Sequence, residues 1–98
     1  KVRYPAQLTT ARGVVRECML LDLSLAGARL EAVDVLPLGE RVSLSFSSPS
    51  RWDPIVVPAR IAWSRPGSLA HLGLTFEFSS STTVFALFET IAALEYGA

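Results

Sequence analysis

The sequence predicts an antiparallel all-β fold, a barrel or a sandwich, followed by one C-terminal amphipathic helix. Over the first four-fifths of the chain, apolar and polar residues alternate in short runs separated by turn-forming stretches, as half-buried strands do. Near Ser79 the apolar period lengthens from two residues to helical spacing and stays so to the end of the chain.

Gln7–Thr10 reads as a short strand, turned at Arg12-Gly13 into Val14–Leu23, which is apolar on both faces. Arg41–Phe46 alternates cleanly, with Val42, Leu44 and Phe46 on one side and Arg41, Ser43 and Ser45 on the other. In Ile55–Trp63 the residues Ile55, Val57, Ala59, Ile61 and Trp63 share a face, while Pro58 on the other face argues for an edge or a bulge. Leu72–Phe78 turns Leu72, Leu74, Phe76 and Phe78 inward and Gly73, Thr75 and Glu77 outward. The stretches Ser47-Ser48-Pro49-Ser50 and Ser64-Arg65-Pro66-Gly67-Ser68 are turn signals.

From about Thr82 to Tyr96, Val84, Phe85, Leu87, Phe88, Ile91 and Leu94 recur at helical intervals. Thr82 or a preceding serine supplies an N-cap and Gly97 a stop. The stripe is expected to pack on the β-structure through Phe85, Phe88 and Ile91, with a homodimer interface as the alternative use of it.

At 98 residues the chain holds one core, and with half its residues hydrophobic it fills that core rather than staying disordered. A formal net charge of zero excludes the long-range attraction to polyanions on which DNA- and RNA-binding proteins depend. Any phosphate must therefore meet a few locally placed arginines. The one cysteine, Cys18, lies in an apolar run and reads as a buried reduced thiol, in keeping with a cytoplasmic protein. No apolar stretch reaches the roughly 18 residues of a membrane span, so no membrane insertion is expected. The sequence opens at Lys1-Val2-Arg3 without a methionine and reads as a fragment.

Catalysis finds little support. His71 is the one histidine and has no second metal ligand nearby in sequence, and no nucleophile elbow, Cys/His metal spacing or phosphate-cradling glycine loop occurs. Neither an enzyme nor a bound cofactor or metal is expected. Trp63 reads first as an inward tryptophan completing the core and second as an aromatic wall of a base site. Trp52, in a polar loop, reads as a lid or a partner contact. The arginines at 12, 16, 29, 41, 60 and 65 are scattered and read mostly as solvated.

The most specific feature is Asp22-Leu23-Ser24-Leu25-Ala26-Gly27-Ala28-Arg29-Leu30. Asp22 and Ser24 are two apart at a strand end and project to one side in extended backbone. Gly27 allows a tight turn or close approach to the backbone. A carboxylate accepts from the N1 and N2 donors of guanine, and a hydroxyl serves a neighbouring polar atom. By chemistry alone a structural turn between two strands is the leading account of these residues.

This segment, together with Leu36-Pro37-Leu38-Gly39, Ala59-Arg60-Ile61-Ala62-Trp63 and His71-Leu72-Gly73-Leu74-Thr75-Phe76, resembles the PilZ domain family in order and spacing from Arg3 to Phe78. The resemblance implies a six-stranded antiparallel barrel over about residues 6–78 with a capping helix over about 82–96, one domain spanning 1–98. It also implies a bacterial cytoplasmic module that binds the second messenger cyclic di-GMP at the barrel rim and signals to a protein partner or neighbouring domain. Asp22, Ser24 and Gly27 carry over directly as ligand-binding residues. The family's Arg-x-x-x-Arg motif is matched by aligning its second arginine with Arg3, which puts the first before Lys1; read literally from Arg3, the second position falls on Gln7. A module that binds no nucleotide and acts through protein contacts is the alternative.

Overall fold

The computed structural model describes residues 3–47, 52–78 and 80–96, with helix side chains up to 93. The expected Ser48-Pro49-Ser50 turn, the Leu94 side chain and the Gly97 stop lie outside the described residues. Six strands, β1 (Tyr4–Thr10), β2 (Val15–Leu23), β3 (Gly27–Ala32), β4 (Arg41–Phe46), β5 (Ile55–Arg65) and β6 (Ala70–Phe76), precede one helix, α1 (Ser81–Tyr96). The strands close into a barrel in the order β1-β2-β3-β6-β5-β4, with every pairing antiparallel. Of the two architectures open to the sequence, the barrel is the one formed, and closure leaves no edge strand.

Alternation fills the barrel as the pattern dictates. Leu8, Leu20, Leu30, Leu44, Val57, Ile61 and Leu72 are essentially sealed from solvent and form one core. The β3–β4 crossover runs over one end of the barrel and buries Leu36, while α1 follows β6 at the other end and adds Ala86 and Leu87 to the same core. Pro58 is tolerated because β6 ends at Phe76, opposite Ala59; just past that end the Pro58 carbonyl accepts from Glu77 N–H at 2.7 Å. The missing proline donor thus falls at the margin of the ladder rather than inside it.

Two β-bulges decide what the outer surface displays. In β2, Leu20 pairs with Leu30 but Asp22 pairs with Arg29, so Leu21 is the extra residue. In β5, Ile61 pairs with Leu74 but Trp63 pairs with Gly73, so Ala62 is extra. One inserted residue inverts the facing of everything after it. Strict alternation from Cys18 and Leu20 would send Asp22 into the core, and strict alternation from Ala59 and Ile61 would send Trp63 there. The bulges turn both outward.

That corrects the reading of Trp63 as a core residue: it is 39% exposed and lies on the outer wall. The helix also needs correction. Phe85 and Phe88 are 71% and 58% exposed, and the face against the barrel is Ala86, Leu87 and Thr90, with Ile91 at its margin. Apolar residues surround much of α1, so spacing alone fits more than one stripe. The small residues bring the helix axis close, and the buried Thr90 hydroxyl is satisfied by donating to the Ala86 carbonyl at 2.9 Å. Trp52 stands fully exposed and is no lid.

Candidate ligand-binding face

The register lays Asp22, Arg29, Gly73 and Trp63 side by side across β2, β3, β6 and β5, all facing outward. At about 4.7–4.9 Å per strand, the row spans roughly 14 Å. A second outward row runs Met19, Glu31, His71 and Arg65 across the same four strands. The sequence-predicted residues Asp22, Ser24 and Gly27 sit at one end of this face, and Arg3 reaches across β2 to its other row.

Each charged member has a defined partner. Arg29 grips Asp22 Oδ2 with Nη2 at 2.7 Å and Nε at 2.9 Å, fixing the carboxylate's direction while leaving it accessible at the surface. Arg3 Nη2 lies 3.3 Å from Glu31 Oε1, and His71 Nε2 lies 3.5 Å from Glu31 Oε2. Arg29 and Glu31 are two apart on β3, so the pairs that hold Asp22 and Arg3 stand beside each other. Three arginines face two carboxylates here, a local positive excess that the chain's zero net charge hides.

Ser24 shapes the β2–β3 turn. Its Oγ accepts from Ala26 N–H at 3.2 Å and Gly27 N–H at 3.3 Å, the hydrogen bonding of a serine turn, and the residue stays exposed. Gly27 is required by close approach: a Cβ there would collide with the Leu74 carbonyl of β6. Asp22, Leu23, Ser24, Gly27, Leu74 and Thr75 help to line an open depression of about 330 Å³, within the range of small-molecule sites.

Trp63 completes the face. A Cβ on Gly73 would strike its indole ring, which means the ring lies flat across the glycine on the sheet surface. The Arg65 guanidinium sits 5.7 Å from the ring centroid, a cation–π contact that steadies it. Sequence reasoning missed Arg29, Glu31, Gly73 and the outward facing of Trp63. A signal was present: in unbroken alternation Trp63 shares its face with Arg65, and Asp22 shares its face with Leu20, so either strand needed a bulge.

Nothing on this face suggests covalent chemistry. Among the described residues no cluster of His, Cys, Asp and Glu could hold a metal. The Cys18 thiol is pushed up to about 11 by burial and, secondarily, by the charge of Glu17, which leaves it protonated and inert. Among the described residues no helix is long and apolar enough to cross a membrane.

The fold has solved counterparts. The PilZ domain of CeSA from a cellulose-synthesizing bacterium superposes with a TM-score of 0.76 at 20% identity, over 96% of this chain and 94% of that one. The PilZ domain of YcgR from Escherichia coli, solved with c-di-GMP, gives 0.77 at 21% identity over 97% and 83%. A longer YcgR chain, also in complex with c-di-GMP, gives 0.73 at 22% identity; 97% of this chain covers 42% of it. No curated protein sequence matches the chain. The sequence profile of the PilZ domain matches residues 1–92, nearly the whole length, and the chain is therefore a member of the PilZ domain family, whose members are binding modules and not enzymes.

Proposed function

We propose that this chain is a bacterial receptor module for cyclic di-GMP and that the ligand lies on the outer face of β2, β3, β6 and β5. The observation that carries the reading is the pair of bulges, which aim Asp22 and Trp63 outward in one register row. Asp22 accepts from the N1 and N2 donors of one guanine, and Gly27, by admitting the Leu74 carbonyl of β6, shapes the wall of the depression in which the base sits. Trp63 offers a flat apolar surface on which a purine stacks. Arg3 leaves Glu31 to meet phosphate or guanine O6 and N7, for which a planar guanidinium is suited. Movement of Arg3 from Glu31 onto the ligand is the signal passed to a protein partner or neighbouring domain, through the ligand's differential affinity for two states.

The competing reading, a module that binds no nucleotide and works through protein contacts, draws support from the full exposure of Trp52 and the exposure of Phe85 and Phe88. Tryptophan emission separates the two. In a Trp52→Phe background the remaining indole reports on the face alone, and cyclic di-GMP is expected to quench it saturably. Adding Gly73→Ala displaces the ring from the sheet, shifts its emission to the red and weakens the quenching. Emission indifferent to the ligand would take Trp63 out of the site.

A further inference from the structure

We propose that Arg29 is a base-reading residue in its own right: held side-on by Asp22, it donates to guanine O6 while Asp22 accepts from N1 and N2, so that the two side chains together complement the whole pairing edge of the base. The inference rests on the cyclic di-GMP reading above and names the specificity element of that same site.

Arg29 spends only one edge of its guanidinium on Asp22. Nε and Nη2 both lie against Oδ2, at 2.9 Å and 2.7 Å. Of the guanidinium's five N–H donors two are used in this way, which leaves the second N–H of Nη2 and both on Nη1. These form the end-on edge, and no hydrogen bond or ion pair among the described residues takes it up. Both side chains stay open to solvent, Arg29 40% and Asp22 44% exposed, and both line the depression of about 330 Å³. The neighbouring outward positions are Gly27 along β3 and Gly73 across on β6, and neither brings a side chain of its own against the guanidinium. Glu31, the next outward residue along β3 in the other direction, is engaged with Arg3 and faces His71. The end-on edge is therefore available to a ligand in the depression.

The order of groups on guanine suits this pair. Its pairing edge runs from the N2 and N1 donors to the O6 acceptor, with O6 next to N1. Oδ2 and Nη2 stand side by side 2.7 Å apart, an acceptor beside a donor, which is the complementary order. With N1–H on the carboxylate, the adjoining O6 meets the second N–H of Nη2, and the charge on the guanidinium makes that bond stronger than one between neutral groups. Adenine in the same orientation turns its N1 acceptor to the carboxylate and its N6 donors to the guanidinium, so both contacts fail and polar groups on each side lose their partners. Asp22 thus both accepts from the base and aligns the arginine that donates to it. Seven residues separate the two in sequence, and the β2–β3 register, with its bulge at Leu21, sets them opposite each other.

Calorimetric titration at mildly acidic pH with cyclic di-GMP and with its 6-thioguanine analogue tests the assignment. The analogue keeps the N1 and N2 donors and replaces O6 with a sulfur, which accepts hydrogen bonds weakly. The wild type is expected to prefer cyclic di-GMP roughly three- to tenfold, the scale of one such bond exchanged for a weak one. Arg29→Met, which keeps bulk and loses every donor, should weaken cyclic di-GMP binding and hold the two ligands equally. Arg29→Lys, which keeps a cation on Asp22 without the planar fork, should show a smaller preference than the wild type, and it decides the matter if Arg29→Met binds too weakly to measure. No preference in the wild type, or a preference undiminished in these variants, would overturn the assignment and leave Arg29 as a support for Asp22 alone, with the receptor reading intact. No binding of cyclic di-GMP to the wild type would overturn both.

Discussion

Leu87→Ala is expected to lower the unfolding free energy by about 2–5 kcal/mol, the usual cost of emptying a buried leucine site in a core that only partly collapses. Phe88→Ala, although it removes a larger side chain, is expected to cost less than about 1 kcal/mol. The contrast follows from position alone: Leu87 is sealed among core residues, whereas Phe88 is 58% exposed. Surface truncations outside special features stay near ±0.5 kcal/mol. Urea denaturation of the two variants measures the difference, and similar m-values would establish that the comparison concerns stability rather than a changed unfolded state. A costly Phe88→Ala with a harmless Leu87→Ala would mean that α1 turns Phe88, and not Leu87, toward the barrel.

Asp22→Ala is expected to weaken cyclic di-GMP binding by about 1.5–3 kcal/mol, the range for hydrogen bonds to charged groups, or roughly tenfold to more than a hundredfold in Kd. Two effects combine. The guanine edge loses its acceptor, and Arg29, no longer held at 2.7 Å and 2.9 Å by Asp22 Oδ2, loses the partner that fixes it. Because Asp22 turns outward at a bulge, its removal leaves no core cavity, and thermal unfolding should change little. Ser24→Ala should cost less, its hydroxyl being engaged mainly with the turn. Arg3→Ala should cost at least as much as Asp22→Ala and should flatten the salt dependence, since it removes a charge that meets phosphate.

The architecture was legible in the sequence because a barrel strand and an amphipathic helix have different periods, and the change near Ser79 separates them. The strands Arg41–Phe46 and Ile55–Ile61 keep strict alternation, and there the expected inward residues are the buried ones. Two kinds of feature resisted. Bulges escape a rule that counts in twos: Trp63 follows Ile61 at the right interval for the core, Arg65 on the same face hints at a break, and the pairing of Trp63 with Gly73 places the extra residue at Ala62. The helix face resisted because spacing favours large apolar residues, whereas close packing on a barrel end chose Ala86, Leu87 and Thr90. Of the site, the Asp22-to-Gly27 segment was legible through its resemblance and its turn chemistry. Its partners Arg29, Glu31, His71 and Trp63 come from three strands, and a linear pattern carries no register between strands.

The central claim is that the outer face reads guanine through Asp22, and calorimetric titration with cyclic di-GMP and with cyclic di-AMP tests it most directly. The two ligands share the phosphate ring, so the local positive charge, and Arg3 where it meets phosphate, treat them alike. They differ at the base edge, where adenine lacks the N1 and N2 donors that Asp22 accepts. The expected result is saturable binding of cyclic di-GMP, a Kd at least about tenfold weaker for cyclic di-AMP, and loss of that discrimination in Asp22→Ala. No heat from cyclic di-GMP at millimolar concentration, or equal affinity for the two ligands, would contradict it.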